Sequence, residues 1–212
     1  MAAERPDLLS LRTARPTDAD AVAALHADSW RRHYRGAYAD TYLDGDLEID
    51  RRALWSERLA QPSPRARTVL AEADGELLGF AHVVLRDDPV WGALVDNLHV
   101  RYDQKRRGIG RCLLAAVAEV VAGDSAVPPG FYLWVLQHNT AARAFYAACG
   151  GAEVETALTT PPGGDASRLV GSPEKLRVHW PSPGLALTGR PNPTQGVNAG
   201  WGRMKITFAP CA

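Results

Sequence analysis

Basic side chains and two glycines are concentrated in one short segment, residues 105–111, which reads Lys-Arg-Arg-Gly-Ile-Gly-Arg. It lies between an apolar run typical of a strand and an apolar run typical of a helix. Gly108 and Gly110 allow the backbone to approach a bulky ligand and to turn amides towards it. The helix that follows adds unbonded amides and the positive end of its dipole. The segment predicts a phosphate or pyrophosphate site, and a solvated basic turn is the alternative.

Two well-known phosphate-binding sequences are absent from the chain. The P-loop requires GxxxxGK[ST], which does not occur. A dinucleotide-binding turn requires glycine or alanine three residues after Gly110, and that position is Leu113. Any phosphate bound at this segment is therefore held by another kind of glycine turn.

Asn139 and Tyr146 form a second pair with chemical potential. They are seven residues apart in a helical pattern, so they share one helix face about two turns, or roughly 10 Å, apart. This spacing suits two contacts to one extended ligand. The alternative is that Asn139 caps the helix and Tyr146 packs in the core.

The elements that position these residues follow from hydrophobic periodicity and turn signals such as Asp74-Gly75. Four helices are predicted: one starting at Thr17-Asp18 and running through Trp30, then Ile49–Leu59, Gly108–Ala122 and Asn139–Cys149. Seven strands are predicted at Leu8–Ala14, Thr68–Ala73, Leu77–Leu85, Leu94–Val100, Phe131–Leu136, Ala152–Leu158 and Lys175–Trp180. This order predicts a mixed α/β sheet with helices on both faces.

Composition narrows the class of protein. The 212 residues suit one domain, and 24 basic residues balance 24 acidic ones, so no global field favours nucleic acid or an anionic membrane. Neither a signal peptide nor an apolar run of roughly 20 residues is present, which excludes a membrane span. Cys112, Cys149 and Cys211 form no CxxC pair. We therefore expect a cytoplasmic protein without a disulfide framework or a metal site.

The predicted domain is residues 1–180, followed by a tail, residues 181–212. The tail has five prolines, five glycines and no acidic residue. Its first part, Pro181–Gly202, is predicted to be a loop or disordered. Met204–Phe208 could add a short edge strand.

Two segments in order carry a resemblance to a family. LVDNLHVRYDQKRRGIGRCLLAAV, from Leu94, and FYLWVLQHNTAARAFYAACGG, from Phe131, resemble the acetyl-CoA-binding motifs of the GNAT N-acetyltransferase superfamily. The resemblance covers about Leu11–Trp180, and Leu25–Leu43 is similar to the first helices of bacterial small-molecule-type members. One position departs from the family pattern, since Lys105 stands where glutamine or arginine is usual.

The resemblance implies a mostly antiparallel sheet of six or seven strands, with two strands splayed apart at the cofactor site. Acetyl-CoA would lie in the gap, its pantetheine arm along the first of these strands and its pyrophosphate on the amides of Arg106–Gly110. An N–H near Leu98 would polarise the thioester carbonyl. The implied acetyl-CoA contacts are Leu98, His99, Val100, Lys105, Arg106, Arg107, Gly108, Ile109, Gly110, Arg111, Asn139 and Arg143.

Acetyl transfer to an amine requires a proton acceptor, because amines are protonated near neutral pH. Asp96 is the leading candidate: it alternates with Leu94, Leu98 and Val100, which would place it near the thioester. A solvent-facing carboxylate is the alternative, and His26 and Glu72 are further candidates.

Tyr146 resembles the tyrosine that serves the family as an acid for the departing thiolate. Reference pKa values of about 10 and 8.5 make that proton transfer uphill by roughly 2 kcal/mol. Direct attack needs no enzyme nucleophile, so Cys112 and Cys149 are predicted to pack as small apolar groups.

The acceptor pocket is expected between the early helices. Trp30 and Tyr34, in a group with His33 and Tyr38, could bind an amine or a peptide end, with core packing as the alternative. Acidic residues could attract a cationic acceptor or be solvated surface charges: Asp28, Asp44 and Asp46.

The function predicted from this resemblance is transfer of an acetyl group from acetyl-CoA to a primary amine of a small molecule or peptide. A catalytically silent acyl-CoA-binding module on the same fold is the alternative. Nucleic-acid binding is disfavoured by the balanced charge and the short basic cluster. The oligomeric state is open, a homodimer included.

Overall fold

A computed structural model describes residues 9–124, 130–187 and 205–206. One sheet forms its centre, in the order β6-β7-β5-β4-β3-β2-β1-β8. Its strands are β1 Ser10–Thr13, β2 Ala66–Ala73, β3 Glu76–Asp88, β4 Gly92–Val100, β5 Phe131–Leu136, β6 Ala152–Leu158, β7 Glu174–Trp180 and the two-residue β8 Lys205–Ile206. Neighbouring strands are antiparallel except the pairs β4–β5 and β1–β8. The predicted fold class, a mostly antiparallel sheet with helices, is confirmed.

In the described part of the chain, six α-helices accompany the sheet: α1 Ala19–His33, α2 Asp40–Asp44, α3 Leu47–Ala60, α4 Ile109–Ala122, α5 Thr140–Ala148 and α6 Pro183–Leu187. The four predicted helices are α1, α3, α4 and α5. The five-residue helices α2 and α6 were not predicted, because they are too short to show a helical period. No helix in the described part of the chain is long and apolar enough to cross a membrane.

Apolar side chains pack on both faces of the sheet. On one face, α4 buries Leu113, Leu114 and Val117 against β2, β3 and β4. On the other face, α3 buries Trp55 against Phe80 of β3, together with α1. A third cluster joins α1, α2 and the end of β5. These layers fix β4 and β5 between two groups of helices.

Two irregularities in β4 create the space for a site. His82 pairs with Asn97 while Val83 pairs with Val95, so Asp96 is an extra residue in a β-bulge. Further, β4 pairs with β5 only through Ala93 and Leu94. Beyond that point the two strands separate, as the family resemblance implied.

The end of the domain differs from the prediction. Residues 183–187, expected to be loop or disordered, form α6, and Ala186 is 2% exposed within the core beside α4. A single buried alanine between prolines and glycines carries no sequence signal for such packing. The edge strand expected within Met204–Phe208 is present as β8. The remaining tail lies outside the described residues.

Candidate active site

The glycine turn begins α4 with two left-handed residues. Arg106 has φ of +64° and Gly108 has φ of +83°, a conformation that favours glycine. The amides of Arg111 and Cys112 both donate to the carbonyl of Gly108 and form the first turn of the helix. The amides of Gly108, Ile109 and Gly110 precede those bonds and lie at the N-terminus of α4. The backbone therefore has the form of an anion cradle.

Gly110 has a second role, in packing. A Cβ atom at this position would lie 3.2 Å from Cζ of Phe145 and 3.7 Å from Cγ2 of Val100. The absence of a side chain lets the start of α4 approach both α5 and the end of β4. The sequence analysis explained both glycines by the approach of a ligand. In the structure, the backbone conformation favours glycine at Gly108, and the close packing of Phe145 favours it at Gly110.

The main chain of β4 opens towards the gap at alternate residues. The amide of Arg101 donates to the carbonyl of Leu78 on β3. Because bonds to an antiparallel neighbour alternate, His99 bonds to Phe80, and the polar groups of Leu98 and Val100 turn towards β5. Two of the three predicted strand contacts thus face the gap through their backbone. The ring of His99 points elsewhere, with Nδ1 2.8 Å from Oγ of Ser29.

Several basic side chains near the turn are engaged within the protein. Nζ of Lys105 lies 2.6 Å from Nε2 of His33, and burial lowers the pKa of the lysine. Arg107 donates to Oε1 of Gln104 at 2.6 Å. Arg143, on α5, pairs with Glu153 at 2.7 Å. The cradle therefore depends more on its amides than on these side chains.

Asn139 and Tyr146 lie on α5 as the sequence placed them. Oδ1 of Asn139 accepts from the amide of Ala142 at 3.1 Å, so the asparagine caps the helix, and its NH₂ group has no partner among the described residues. Tyr146 is buried beside Trp180 and Phe145, and burial raises its pKa. Its hydroxyl has no hydrogen-bond partner among the residues that the structure describes.

Asp96 faces the helices α1 and α3 rather than the side predicted for it. The bulge reverses the alternation, so Leu98 and Val100 pack on the α4 side with Ala93 and Val95. The expectation that Asp96 shares a face with Leu98 and Val100 is wrong for this reason. Its Oδ2 atom accepts from Nη1 of Arg58 and Nδ2 of Asn97, both at 2.7 Å. Its Oδ1 atom has no partner in the described ranges.

A chain of ring contacts joins the end of α1 to β4. The ring of Trp30 lies 5.2 Å from that of His26, and the ring of His26 lies 4.8 Å from that of His99 on β4. Trp30 also stacks on Tyr34, and burial raises the pKa of this tyrosine. The predicted acceptor residues Trp30 and Tyr34 are therefore connected to the face of β4 that carries His99.

The aromatic side chains at the end of α1 and in the segment after it form a continuous group. The rings of Trp30 and Tyr34 stack with centroids 4.8 Å apart, and Tyr38 lies 5.2 Å from Trp30. Trp30 and Tyr34 are partly buried against the third cluster. They therefore combine packing with a surface next to the site. The segment of residues 159–173 is bonded to this side of the site. The amide of Val170 donates to the carbonyl of Ala37, and the amide of Ala39 donates to the carbonyl of Arg168.

The other base candidates lie in unsuitable positions. His26 is 1% exposed, its Nδ1 accepts from Nε1 of Trp55 at 2.9 Å, and burial lowers its pKa well below the ordinary value. Glu72 lies on β2, two strands from β4, and pairs with Arg12 of β1. Cys149 is buried with a raised pKa, which agrees with its predicted packing role.

Sequence reasoning missed two residues that hold the site together. Arg58 orients the carboxylate of Asp96, and Ser29 orients the ring of His99. Both pairs join residues far apart in the chain, and no local pattern signals such contacts.

Comparison with known proteins identifies the family. The profile of the acetyltransferase (GNAT) family matches residues 24–151, which include the aromatic group, β4, the turn and α5. This is more than half of the chain, and the chain belongs to the GNAT acetyltransferase family.

Individual relatives agree with that assignment. A probable N-acetyltransferase of Mycobacterium tuberculosis is 29% identical over 150 residues, 67% of this chain and 79% of that protein. An uncharacterized N-acetyltransferase of Bacillus subtilis is 26% identical over 136 residues, 62% of this chain and 74% of that protein. The PaiA N-acetyltransferase of Thermoplasma acidophilum, solved in complex with coenzyme A, shares the fold at 17% identity. The TM-score is 0.63, over 81% of this chain and 97% of that one.

Proposed function

We propose that this protein transfers the acetyl group of acetyl-CoA to a primary amine by direct attack. The observation that carries the proposal is the separation of β4 from β5 beside the amide cradle of the glycine turn. The structure of the Thermoplasma protein with coenzyme A supports the same class of ligand here. Membership of an acetyltransferase family supports the reaction class.

The chain offers three contacts to such a ligand. The amides at residues 106–110 would hold the pyrophosphate, and the backbone of Leu98 and Val100 would pair with the pantetheine arm. The free NH₂ group of Asn139 would donate to the same arm. Each contact uses hydrogen-bonding capacity that the fold leaves open at the gap.

Asp96 and the amide of Leu98 are suited to the chemistry of acetyl transfer. Oδ1 of Asp96, directly or through water, would accept the proton of the attacking amine. The amide of Leu98 would stabilise the charge that develops on the carbonyl oxygen as the C–N bond forms. The C–S bond then breaks, and the sulfur leaves as a thiolate that is finally protonated.

Tyr146 would donate a hydrogen bond to that departing sulfur. Because burial raises its pKa, complete proton transfer would be more uphill than the roughly 2 kcal/mol expected from reference values. Its contribution would therefore be stabilisation of the developing thiolate, with a proton regained from solvent afterwards.

One observation favours the silent acyl-CoA-binding module as a second candidate. Arg58 already neutralises Asp96 through an ion pair of 2.7 Å. In that case the protein would bind acetyl-CoA in the same gap without turning it over.

A panel of amines tests both candidates. Free thiol release from acetyl-CoA is followed for each amine, with hydrolysis without amine as the background, and mass spectrometry identifies the acetylated product. The proposal expects amine-dependent release with at least one class of amine. Tight acetyl-CoA binding without turnover supports the binding module, and lack of acetyl-CoA binding contradicts both.

A further inference from the structure

One cation occupies a position on α3 that should be apolar. The buried face of this helix repeats every four residues through Leu47, Trp55 and Leu59, which are 0%, 0% and 7% exposed. Arg51 takes the missing position in that series. The helix therefore directs the side chain of Arg51 towards α1.

Arg51 has no acidic partner in the described part of the chain. Its Cζ atom lies 4.6 Å from the ring centroid of Trp30, and its Nε atom is buried without a hydrogen-bond partner. Two other arginines of α3 are paired: Arg52 with Asp20 at 3.1 Å, and Arg58 with Asp96 at 2.7 Å. Burying an uncompensated charge is unfavourable, which makes this unpaired inward cation unusual.

Trp30 connects Arg51 to the acceptor side of the site. The guanidinium group lies over the ring of Trp30, which stacks on Tyr34 with centroids 4.8 Å apart. Trp30 also contacts His26, whose ring lies 4.8 Å from that of His99 on β4. An acceptor positioned for reaction beside Tyr34 would thus extend towards Arg51 across the ring of Trp30.

Two of the three acidic residues expected to attract a cationic acceptor are paired with other arginines. Asp28 pairs with Arg32 at 2.8 Å, and Asp44 pairs with Arg35. Both carboxylates are about half exposed. These two carboxylates therefore do not pair with Arg51.

We propose that Arg51 binds a carboxylate of the acceptor, so that the acceptor is an amine that also carries a carboxylate, such as a free amino acid. This inference rests on the proposed acetyl transfer. Trp30 and Tyr34 would contact the apolar part of the same molecule, and the paired geometry of guanidinium and carboxylate would fix its orientation. Polyamines would be disfavoured, because a second ammonium group would approach Arg51.

Matched acceptors test the inference by kinetics. Apolar L-amino acids are compared with their carboxamides, which keep size and amine but lose the negative charge, and with a polyamine. The amino acids should have kcat/KM values about tenfold to a hundredfold above those of the carboxamides. Arg51→Gln should bring this ratio close to one, and Arg51→Lys should keep part of it. Arg52→Gln, which removes an exposed arginine of the same helix, should leave the ratio unchanged.

Ratios separate recognition from packing, since a general disturbance of Trp30 would lower both rates together. Equal rates for acid and carboxamide in the wild type, a preference for the polyamine, or a preference that survives Arg51→Gln would overturn the inference.

A binding measurement distinguishes the carboxylate site at Arg51 from the proposed acetyl transfer. Calorimetry compares N-acetyl-L-amino acids, the expected products, with their carboxamides and needs no turnover. Binding of the acids that depends on Arg51, without acetyl transfer to any amine, would keep the carboxylate site and contradict the proposed reaction. Acetyl transfer to amines without Arg51-dependent binding of the acids would support the proposed reaction and contradict the carboxylate site.

Discussion

Three side-chain groups that the proposed reaction uses keep hydrogen-bonding capacity in the folded protein. In the described ranges these are Oδ1 of Asp96, the NH₂ group of Asn139 and the hydroxyl of Tyr146. Each belongs to a residue whose position is fixed by packing or by another bond. Groups held in this way are suited to stabilise a transition state, because they need little reorganisation.

Replacing Tyr146 by phenylalanine tests the hydroxyl alone. The ring keeps its contacts with Phe145 and Trp180, so stability should change little. Loss of the donor to the departing sulfur should lower kcat and kcat/KM together by about 10²-fold, with acetyl-CoA affinity nearly unchanged. Steady-state kinetics with a working acceptor measure this. Tyr132→Phe is the matched control, since that hydroxyl bonds Asp87 outside the site. Wild-type rates for Tyr146→Phe would show that Tyr146 contributes only to packing.

The elements around the site could be predicted where the pattern is long and local. The buried positions of α4 and the apolar strand β5 repeat over enough residues to be identified from sequence, and the turn between β4 and α4 carries its own glycines. The bulge at Asp96 could not be predicted, because it exists only in the pairing of β4 with β3. One extra residue reversed the face of Leu98 and Val100. The pairing of Arg58 with Asp96 is equally non-local.

The glycine turn gives a prediction for acetyl-CoA affinity. Gly108→Val should weaken binding at least tenfold, since a β-branched residue disfavours a φ of +83° and the cradle amides would reorient. Gly110→Val should also weaken binding, here by displacing Phe145. Lys105→Ala should have an effect of a few-fold or less, because an exposed cation contributes modestly. Isothermal titration with acetyl-CoA measures all three, with circular dichroism to check folding. Unchanged affinity in folded Gly108→Val would contradict this position of the pyrophosphate.

Over the whole molecule, α6 extends the domain beyond residue 180. Ending the chain after Pro181 removes Ala186 from the core and uncovers part of α4, so the melting temperature should fall by several degrees. Ending it after Leu187 keeps α6 and should cost less. Thermal unfolding of the two truncated proteins measures the difference. Equal melting temperatures would show that α6 does not stabilise the domain.

Acid should destabilise the folded protein through buried neutral histidines. Burial lowers the pKa of His82 to about 4 and that of His99 to about 3, against about 6.5 in the unfolded chain. Below pH 6.5 the unfolded state therefore binds more protons, and stability falls towards pH 4. Urea unfolding between pH 7.5 and 4.5 should show this loss. His82→Gln should flatten the dependence, and a variant with the wild-type slope would contradict the role of His82.

Hydrogen exchange with and without acetyl-CoA is the most direct measurement of where the ligand binds. Saturating acetyl-CoA should slow exchange of the amides of Leu98 and Val100 and of residues 106–110, because these groups gain hydrogen bonds to the pantetheine and the pyrophosphate. Exchange in β2 and β6, which do not border the gap, should be unchanged. Protection confined to the two predicted segments agrees with acetyl-CoA lying between β4 and β5. Bound acetyl-CoA that leaves both segments unprotected would contradict it.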